Sequence, residues 1–328
     1  MLKYTLKRLL LIIPTLLAVA VLIFTLMYFI PGDVAKMTLG TTATPEELAA
    51  FRAAYGLDQP FFTRLANFLY NMVFHLDFGK SYSYGTSVLG DLLARFPYTV
   101  LIALISVVIS VIIGIPLGVS CAVNANTAFD RISMVLSLVF ASIPGFWLAL
   151  LLIQLFAVQW GILPSYGFEH WNNYVLPCFA NAMAAVATLA RQTRASMLEV
   201  IRADYVTTAR AKGIQPHRVL YHHALPNGLI PIITTVGTRF SGMLGGTIII
   251  ETIYSIPGLG SYMTTAINKR DYPAVQGSIV FVAFVQCLMM LVIDLIYALV
   301  DPRIRAQYAG RIKRKQKKDE NKGEEKAA

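Results

Sequence analysis

The chain alternates between long, uninterrupted apolar runs and polar connections. Apolar residues fill positions 9–30, and further runs follow at about 97–120, 132–158, 174–190, 228–250 and 275–300. Each run is close to the roughly 20 residues that a helix needs to cross the hydrocarbon core of a bilayer. The period-two alternation of a transmembrane β-barrel is missing from the sequence. The pattern therefore predicts an all-α, polytopic membrane protein with six transmembrane helices.

The first apolar run has the features of a retained helix. A cleavable signal peptide has an apolar core of about 7–15 residues, followed by a small-x-small cleavage site. The run at 9–30 is longer than that core and ends in Pro31-Gly32. We therefore expect the first helix to span the membrane in the mature protein.

Composition agrees with a membrane protein. Of the 328 residues, 56% are hydrophobic and 14% are charged, and the mean hydropathy is +0.60. Soluble domains average roughly 25% charged residues. Much of the net charge of +10 lies in one stretch, Arg311–Lys318. Such a block is typical of a disordered tail, so residues 306–328 are predicted to form a basic, disordered end and no nucleic-acid partner is expected.

Lysine and arginine positions predict the orientation, because these residues favour the cytoplasmic side. With the N-terminus inside, most of the 28 Lys and Arg residues fall on cytoplasmic segments. We therefore predict a multi-pass membrane protein with both termini in the cytoplasm.

Two connections are too long to be simple turns. The first, residues 31–96, would lie outside the cell. Within it, Thr44-Pro45-Glu46-Glu47 supplies an N-cap, a proline at the first helical position and a capping-box acid, and Gly56 is placed to end that helix. A second amphipathic helix is predicted at about 61–74. We expect both helices to pack over the outer mouth of the bundle, so residues 1–96 form an N-terminal unit and residues 97–305 a five-helix core.

The second long connection, residues 191–227, would lie in the cytoplasm. Arg210 and Lys212 precede Gly213, as is usual at a helix C-terminus. Pro216 then opens a second short helix, 216–224, before Leu225-Pro226 turns the chain back into the membrane. From charge and periodicity alone, this helix–Gly–helix element is equally well explained as an interfacial helix held by anionic lipid.

Candidate catalytic, metal and cofactor chemistry is sparse. Cys121, Cys178 and Cys287 lie in or beside apolar runs without metal-ligand spacing, so a disulfide framework or zinc site is not expected. Gly79-Lys80-Ser81 lacks the first glycine of a phosphate-binding loop, because Phe74 stands there. We therefore expect this chain to bind no cofactor and to catalyse no reaction.

Charged and small residues inside the runs predict contacts between helices. Arg239 and Asp294 fall within the fifth and sixth runs, where a charge needs a partner or water, so they either pair or line a water-filled path. Glu251 is expected at the solvated outer edge. Gly237, Ser241 and Gly245 form a small-residue face that allows close helix packing, within the bundle or with another subunit. Pro144-Gly145 predicts a bend.

The cytoplasmic connection resembles the signature loop of binding-protein-dependent ABC permeases. That pattern is Glu-Ala-Ala, three residues, Gly, nine residues, then Ile-x-Leu-Pro. Gly213 matches its glycine, Thr207-Thr208-Ala209 lie over Glu-Ala-Ala, and Leu225-Pro226 match its end. His223 replaces the isoleucine. Thr207 replaces the glutamate that would contact the ATPase, and Asp204 is one turn away and can take its place.

The likeness is closest to the dipeptide, oligopeptide and nickel branch of these permeases, and it covers residues 3–305. The motifs that carry it, besides the loop, are Lys7-Arg8-Leu9 with Ile13-Pro14-Thr15-Leu16-Leu17, Pro31-Gly32-Asp33, Thr44-Pro45-Glu46, Tyr55-Gly56-Leu57-Asp58-Gln59-Pro60, Ile256-Pro257-Gly258-Leu259-Gly260, Arg270-Asp271-Tyr272-Pro273, Gln276-Gly277 and Asp301-Pro302-Arg303.

The resemblance implies a type I ABC importer permease with a MetI-like fold, located in the bacterial cytoplasmic (inner) membrane. It implies a homologous second permease subunit, two cytoplasmic ATP-binding subunits that hydrolyse ATP, and an extracytoplasmic solute-binding protein. Peptides are the first expectation for the substrate, with nickel chelates or glutathione as alternatives, and a secondary transporter is the alternative from a different class. The implied ATPase-coupling residues are Asp204, Thr207, Ala209, Arg210, Lys212, Gly213, Leu225 and Pro226.

Overall fold

The computed structural model describes residues 2–40 and 42–300, and apart from one isolated bridge between Lys80 and Ser87 their regular structure is helical. The predicted tail therefore lies outside the described residues. Short π-helical turns follow α4, α7 and α10, and a 3₁₀ turn precedes α8. In chain order the helices are α1 (Leu2–Phe29), α2 (Val34–Leu39), α3 (Pro45–Ala54), α4 (Phe61–Tyr70), α5 (Val88–Val123), α6 (Ala128–Ser142), α7 (Gly145–Leu152), α8 (Val175–Ile201), α9 (Asp204–Ala211), α10 (Pro216–Arg218), α11 (Leu225–Gly246), α12 (Ile248–Ile253), α13 (Leu259–Asn268) and α14 (Tyr272–Val300).

Four segments of the described residues are long and apolar enough to cross a membrane as single helices. They are Arg8–Phe29, Val88–Val123, Trp171–Ile201 and Tyr272–Ile296. The predicted third span is bent, since Ala128–Ser142 and Gly145–Gln159 meet at 99° and make a fifth crossing only as a pair. The predicted fifth span is interrupted at Thr247, between α11 and α12. The all-helical membrane architecture is thus confirmed, and the count of six crossings stays a prediction.

Two helices extend beyond the apolar runs that predicted them. Helix α5 begins at Val88 instead of 97, and α8 continues to Ile201 instead of ending at 190. The extension of α8 carries one arginine that pairs with a buried acid. At the end of α8, Arg194 donates to both carboxylate oxygens of the buried Asp130, with N–O distances of 2.5 and 2.6 Å. This bidentate pair joins the start of α6 to α8.

Close packing of α5 on α8 forms the centre of the bundle. A Cβ added at Gly114 would lie 3.0 Å from the Val186 carbonyl oxygen. At Gly118 an added Cβ would lie 2.5 Å from the Ala190 carbonyl oxygen. Glycine at these positions lets the two helix backbones touch, as small residues do between membrane helices.

The small-residue face of α11 packs against α14. A Cβ at Gly237 would lie 2.7 Å from Cγ1 of Ile293, and a Cβ at Gly245 would overlap the Gln286 amide. Ser241, between the two glycines, is buried. The sequence allowed this face to pack either within the bundle or against another subunit. In the structure it packs within the bundle, against α14.

The segment after α1 contains the two predicted helices. Thr44 caps α3 in a capping box, in which its hydroxyl accepts from Glu47 N at 3.3 Å and its own N donates to Glu47 Oε2 at 2.8 Å. Gly56, with φ of +62°, follows the end of α3. Helix α4 lies against α1, where the Phe24 and Phe68 rings stack with centroids 5.5 Å apart. It buries none of its own residues fully, so it covers a flank of α1.

A buried carboxylate fastens the end of this segment to α14. Asp271 precedes α14 and is 1% exposed. Its oxygens accept from Ser81 Oγ at 2.5 Å, from Tyr82 N at 3.0 Å and from Ser83 N at 3.1 Å. Ser81, the last residue of the rejected phosphate-loop motif, is therefore a structural partner of α14.

A second buried carboxylate organises the connection from α11 to α14. Glu251 is fully buried, which corrects the expectation that it would be solvated at the outer edge. Its Oε1 accepts from Thr99 Oγ1 at 2.7 Å and Thr247 Oγ1 at 2.8 Å, and its Oε2 accepts from Gly260 N at 2.7 Å and Ser261 N at 3.1 Å. The carboxylate thereby satisfies the first turn of α13 and ties it to α5 and α12.

Candidate functional site

The two ends of α5 place the candidate sites relative to the membrane. Thr99 contacts the start of α13 through its bond from Leu259 N, 2.9 Å long. Val119 and Ala122 contact the residues around α9. From Thr99 to Val119 the helix rises about 30 Å at 1.5 Å per residue, which matches the hydrocarbon thickness of a bilayer. Helices α9 and α13 therefore lie near opposite membrane surfaces.

Helix α9 rests on the bundle by one narrow face. Val206 is fully buried and Ala209 nearly so, and both pack in a cluster with Val119, Val219 and Ala224. The opposite face is exposed and carries polar and charged side chains and one aromatic ring. These exposed residues are Asp204, Tyr205, Thr207, Thr208, Arg210 and Lys212. A short helix with a polar outer face and a fixed inner face is suited to docking another protein.

The helix before Gly213 is divided in the structure. Helix α8 ends at Ile201, and α9 starts at Asp204 with Ala203 as its N-cap. Met197 is fully buried and belongs to α8. The break separates a helix that belongs to the bundle from one that faces outward.

Gly213 adopts the left-handed conformation that its position predicts. Its φ is +74°, and its N–H donates to the Arg210 carbonyl at 3.0 Å. The next N–H, of Ile214, bonds back to the Ala209 carbonyl at 3.4 Å. A Cβ at Gly213 would meet no other atom within 4 Å. The requirement for glycine therefore comes from the backbone angle alone.

The predicted turn at Leu225-Pro226 is wrong. From Pro216 the chain remains helical through the π-helical turn Val219–Ala224 into α11, with Pro226 in the first turn of α11. The proline directly follows the π-helical turn and does not interrupt the helical backbone. Gly228 packs against Met197, and Ser196 Oγ donates to the Gly228 carbonyl at 2.8 Å. These contacts direct α11 along α8.

Helices α8 and α11 together carry a polar stripe within the membrane-spanning part of the fold. We call this stripe the polar face. Its members repeat at helical intervals on both helices and surround an open cavity of about 600 Å³. The polar members are Asn181, Thr188, Gln192, Thr235, Thr238 and Arg239, with Ala184, Ala185 and Gly242 between them.

The polar face contrasts with the other open surfaces of the bundle. Exposed residues along α5 and α6 include many large apolar ones, such as Leu104, Ile112, Val135 and Leu138. Apolar side chains of this kind suit contact with lipid, whereas amides, hydroxyls and a guanidinium do not. The polar face must therefore adjoin water or protein.

Arg239 and Asp294 do not pair with each other. Arg239 donates from Nη2 to Thr188 Oγ1 at 3.1 Å and lines the cavity. Asp294 forms an ion pair with Arg8 of α1, with Nη1 and Oδ2 2.9 Å apart. Of the two roles that the sequence allowed, Arg239 has the location expected of a path-lining residue and Asp294 is paired.

Metal-binding groups are absent from the described part of the chain. No three His, Cys, Asp or Glu side chains cluster there in a way that could hold a metal ion. The three cysteines are unpaired, and Cys121 and Cys178 are fully buried.

Sequence reasoning assigned Glu251 the wrong environment and missed most of the polar face. Glu251 lies just before the motif Ile256-Pro257-Gly258-Leu259-Gly260, in which a Cβ at Gly258 would overlap the Glu251 carboxylate. Gly258 and Gly260 are only two positions apart, and this spacing was a signal that another group packs tightly against the motif. Thr235, Thr238 and Arg239 recur at helical spacing and were a readable signal in α11.

Comparisons with known proteins agree with one another. Residues 114–306 match the family described as binding-protein-dependent transport system inner membrane component. Residues 1–103 match the model of the N-terminal part of binding-protein-dependent transport system membrane components.

Similar proteins include permeases of named transport systems. The glutathione transport system permease protein GsiC of Escherichia coli strain K12 is 39% identical over 305 residues, covering 93% of this chain and 99% of that protein. GsiC of Salmonella typhimurium strain LT2 is 38% identical with the same coverage. A chain of the MetNI methionine ABC transporter, in an inward-facing conformation, matches with a TM-score of 0.55 and 22% identity over 65% of this chain and 97% of that chain. At that identity the likeness concerns the fold alone.

Proposed function

Because the chain belongs to the family of binding-protein-dependent transport system inner membrane components, we propose that it forms half of the translocation path for small peptides. It is a multi-pass inner-membrane permease subunit of an ABC importer and works in a complex with other ABC subunits. The family is a permease family and not a catalytic one. The observation that carries the proposal is the polar face on α8 and α11.

A homologous second permease covers the polar face in this proposal. Charged and amide groups are costly against lipid, by about 2.5–3.5 kcal/mol for an arginine at the centre of a membrane helix. A partner with a similar face would enclose a polar path between the two subunits. The described part of this chain supplies only one wall of that path.

Two ATP-binding subunits dock on the complex, one of them on α9 of this chain. The exposed side chains of Asp204, Thr207, Arg210 and Lys212 support this role, as does the rigid base formed by Val206. Asp204 lies at the N-terminus of α9 and offers the carboxylate that Thr207 lacks. ATP is bound and hydrolysed by those partners, and this chain holds no cofactor.

An extracytoplasmic solute-binding protein docks on the opposite end of the bundle. The segment containing α3 and α4 is fastened to α14 by Asp271 and to α1 by the Phe24 contacts. Such a fixed surface suits the delivery of a solute into the path.

The substrate class rests on the relatives. Glutathione is a tripeptide, and the similar GsiC proteins belong to glutathione transport systems. We place small peptides, including glutathione, ahead of nickel chelates, because the polar face carries a cation and no acidic side chain. A secondary transporter is disfavoured because the chain belongs to an ABC permease family.

Copurification and uptake test this function together. The tagged chain should bring down a second permease and two ATP-binding subunits. The reconstituted complex with its binding protein should take up labelled dialanine or glutathione only with ATP. A chain that purifies alone and transports without ATP would contradict the proposal.

Cysteine labelling tests the orientation. Ala50 of α3 and Ala211 of α9 are both exposed and differ from cysteine by one atom. In a Cys287→Ser background, Ala50→Cys should react with an impermeant maleimide in spheroplasts, and Ala211→Cys should react only after permeabilisation. The background itself should stay unlabelled, since Cys121 and Cys178 are fully buried. Labelling of Ala211→Cys but not Ala50→Cys would invert the topology.

A further inference from the structure

The Arg239 guanidinium is the unusual group of the polar face. Its one hydrogen bond to a described residue is the 3.1 Å contact with Thr188 Oγ1. The Thr188 hydroxyl in turn donates a hydrogen bond to the Ala184 carbonyl at 2.8 Å. A guanidinium has five N–H donors, so most of them have no hydrogen-bond partner among the described residues.

Other arginines between helices are neutralised by acids. Arg194 holds Asp130, and Arg8 holds Asp294. Among the described residues no carboxylate forms an ion pair with Arg239, and none lines its cavity. The cavity wall therefore carries an uncompensated positive charge.

The level of Arg239 lies within the hydrocarbon zone. It contacts Thr188, and the next residue of α8, Leu189, packs on Gly114 of α5. Gly114 falls inside the roughly 30 Å of α5 between Thr99 and Val119. An unpaired charge at this depth is expensive and is usually retained for a function.

The surroundings suit a small, hydrogen-bonding solute. The cavity volume of about 600 Å³ falls within the roughly 300–1,000 Å³ of small-molecule pockets. Asn181, Gln192 and Thr238 offer uncharged donors and acceptors, and Ala184 and Gly242 leave space beside the guanidinium. Gln192 is held in place by Thr235 Oγ1, which donates to its Oε1 at 2.8 Å.

We propose that Arg239 binds the carboxylate of the transported solute as it passes through the path. The inference rests on the proposed function and adds the chemical class of ligand, a small solute with a free carboxylate. Guanidinium and carboxylate match in a bidentate geometry, and the pair is strengthened where water is scarce. The same charge repels cationic solutes. Thr188 orients the guanidinium without neutralising it, so the solute can be released again.

Three variants of the reconstituted complex test this role. Arg239→Gln removes the charge, Arg239→Lys keeps it, and Arg131→Gln removes a charge from an exposed position on α6. The measurements are uptake of labelled dialanine and glutathione, stimulation of ATP hydrolysis by loaded binding protein, and the amounts of copurified subunits.

Arg239→Gln should lower uptake at least tenfold, with ATPase stimulation and subunit recovery within twofold of wild type. Arg239→Lys should keep a third or more of the uptake, and Arg131→Gln should equal wild type. Uptake by Arg239→Gln within twofold of wild type would overturn the proposal. Joint loss of uptake, stimulation and the second permease would overturn it too, since Arg239 would then bind a partner subunit. If the wild-type complex takes up neither peptide, the proposed function itself fails, and the carboxylate role falls with it.

Discussion

Gly213→Val is expected to abolish coupled uptake while the protein still inserts and assembles with its second permease. The φ of Gly213 is +74°, a region that costs a non-glycine residue about 1–2 kcal/mol and a β-branched residue more. No side-chain clash contributes, because an added Cβ meets no atom within 4 Å. The chain would relieve this strain by changing the turn after α9, and the exposed face of α9 would move with it.

The measurements are uptake and ATP hydrolysis by the reconstituted complex. A penalty of about 1.4 kcal/mol corresponds to a tenfold loss of the docked geometry, so uptake should fall at least tenfold. Stimulation of ATP hydrolysis by loaded binding protein should fall in parallel.

Gly213→Asn is the matched control for this prediction. Asparagine also adds a Cβ, but it tolerates the left-handed region better than other non-glycine residues. It should therefore keep most of the transport. Full transport by Gly213→Val, or equal losses by both variants, would show that the backbone angle at Gly213 does not hold the coupling geometry.

Local signals in the sequence were sufficient for Gly213 and for α3. Two cations followed by glycine predicted the positive φ, and Thr44-Pro45-Glu46-Glu47 predicted the capping box. Each depends on residues within a few positions, where propensity and capping chemistry act directly. The same local reading failed at Leu225-Pro226, because a proline is compatible with the first turn of a helix as well as with a turn.

Contacts between distant parts of the chain could not be predicted in the same way. Thr99 and Glu251 are 152 positions apart, and Asp130 and Arg194 are 64 apart. An acidic side chain can be buried only where packing brings hydrogen-bond donors to its carboxylate. The hydropathy pattern along the chain does not show which donors will be brought there. The polar face also depends on contacts between distant parts of the chain. The polar residues of α8 form one surface with those of α11 only when the two helices pack side by side. Arg239 was identified only as a charge within an apolar run, and the threonines beside it in α11 were not recognised as part of a polar stripe.

Glu251→Ala is expected to destabilise the end of the bundle formed by α12 and α13. The substitution leaves three buried donors without an acceptor, the hydroxyls of Thr99 and Thr247 and the N–H of Gly260, together with the partly buried N–H of Ser261. A buried donor without a partner costs roughly 1–3 kcal/mol, so the loss should reach about 3 kcal/mol or more. The purified complex should lose its monodisperse elution at a temperature several degrees lower than wild type.

Glu251→Gln separates the loss of hydrogen bonds from the loss of volume. The glutamine amide oxygen can still accept from Gly260 N and Ser261 N, and the amide NH₂ can donate to the Thr247 hydroxyl. The Thr99 hydroxyl already accepts from Leu259 N, so it loses the acceptor for its own proton. The stability of Glu251→Gln should therefore lie between alanine and wild type. Glu169→Ala, at an exposed glutamate, should leave the elution profile unchanged. Equal stability of Glu251→Ala and wild type would mean that water replaces the carboxylate and that α13 does not depend on Glu251 for its first turn.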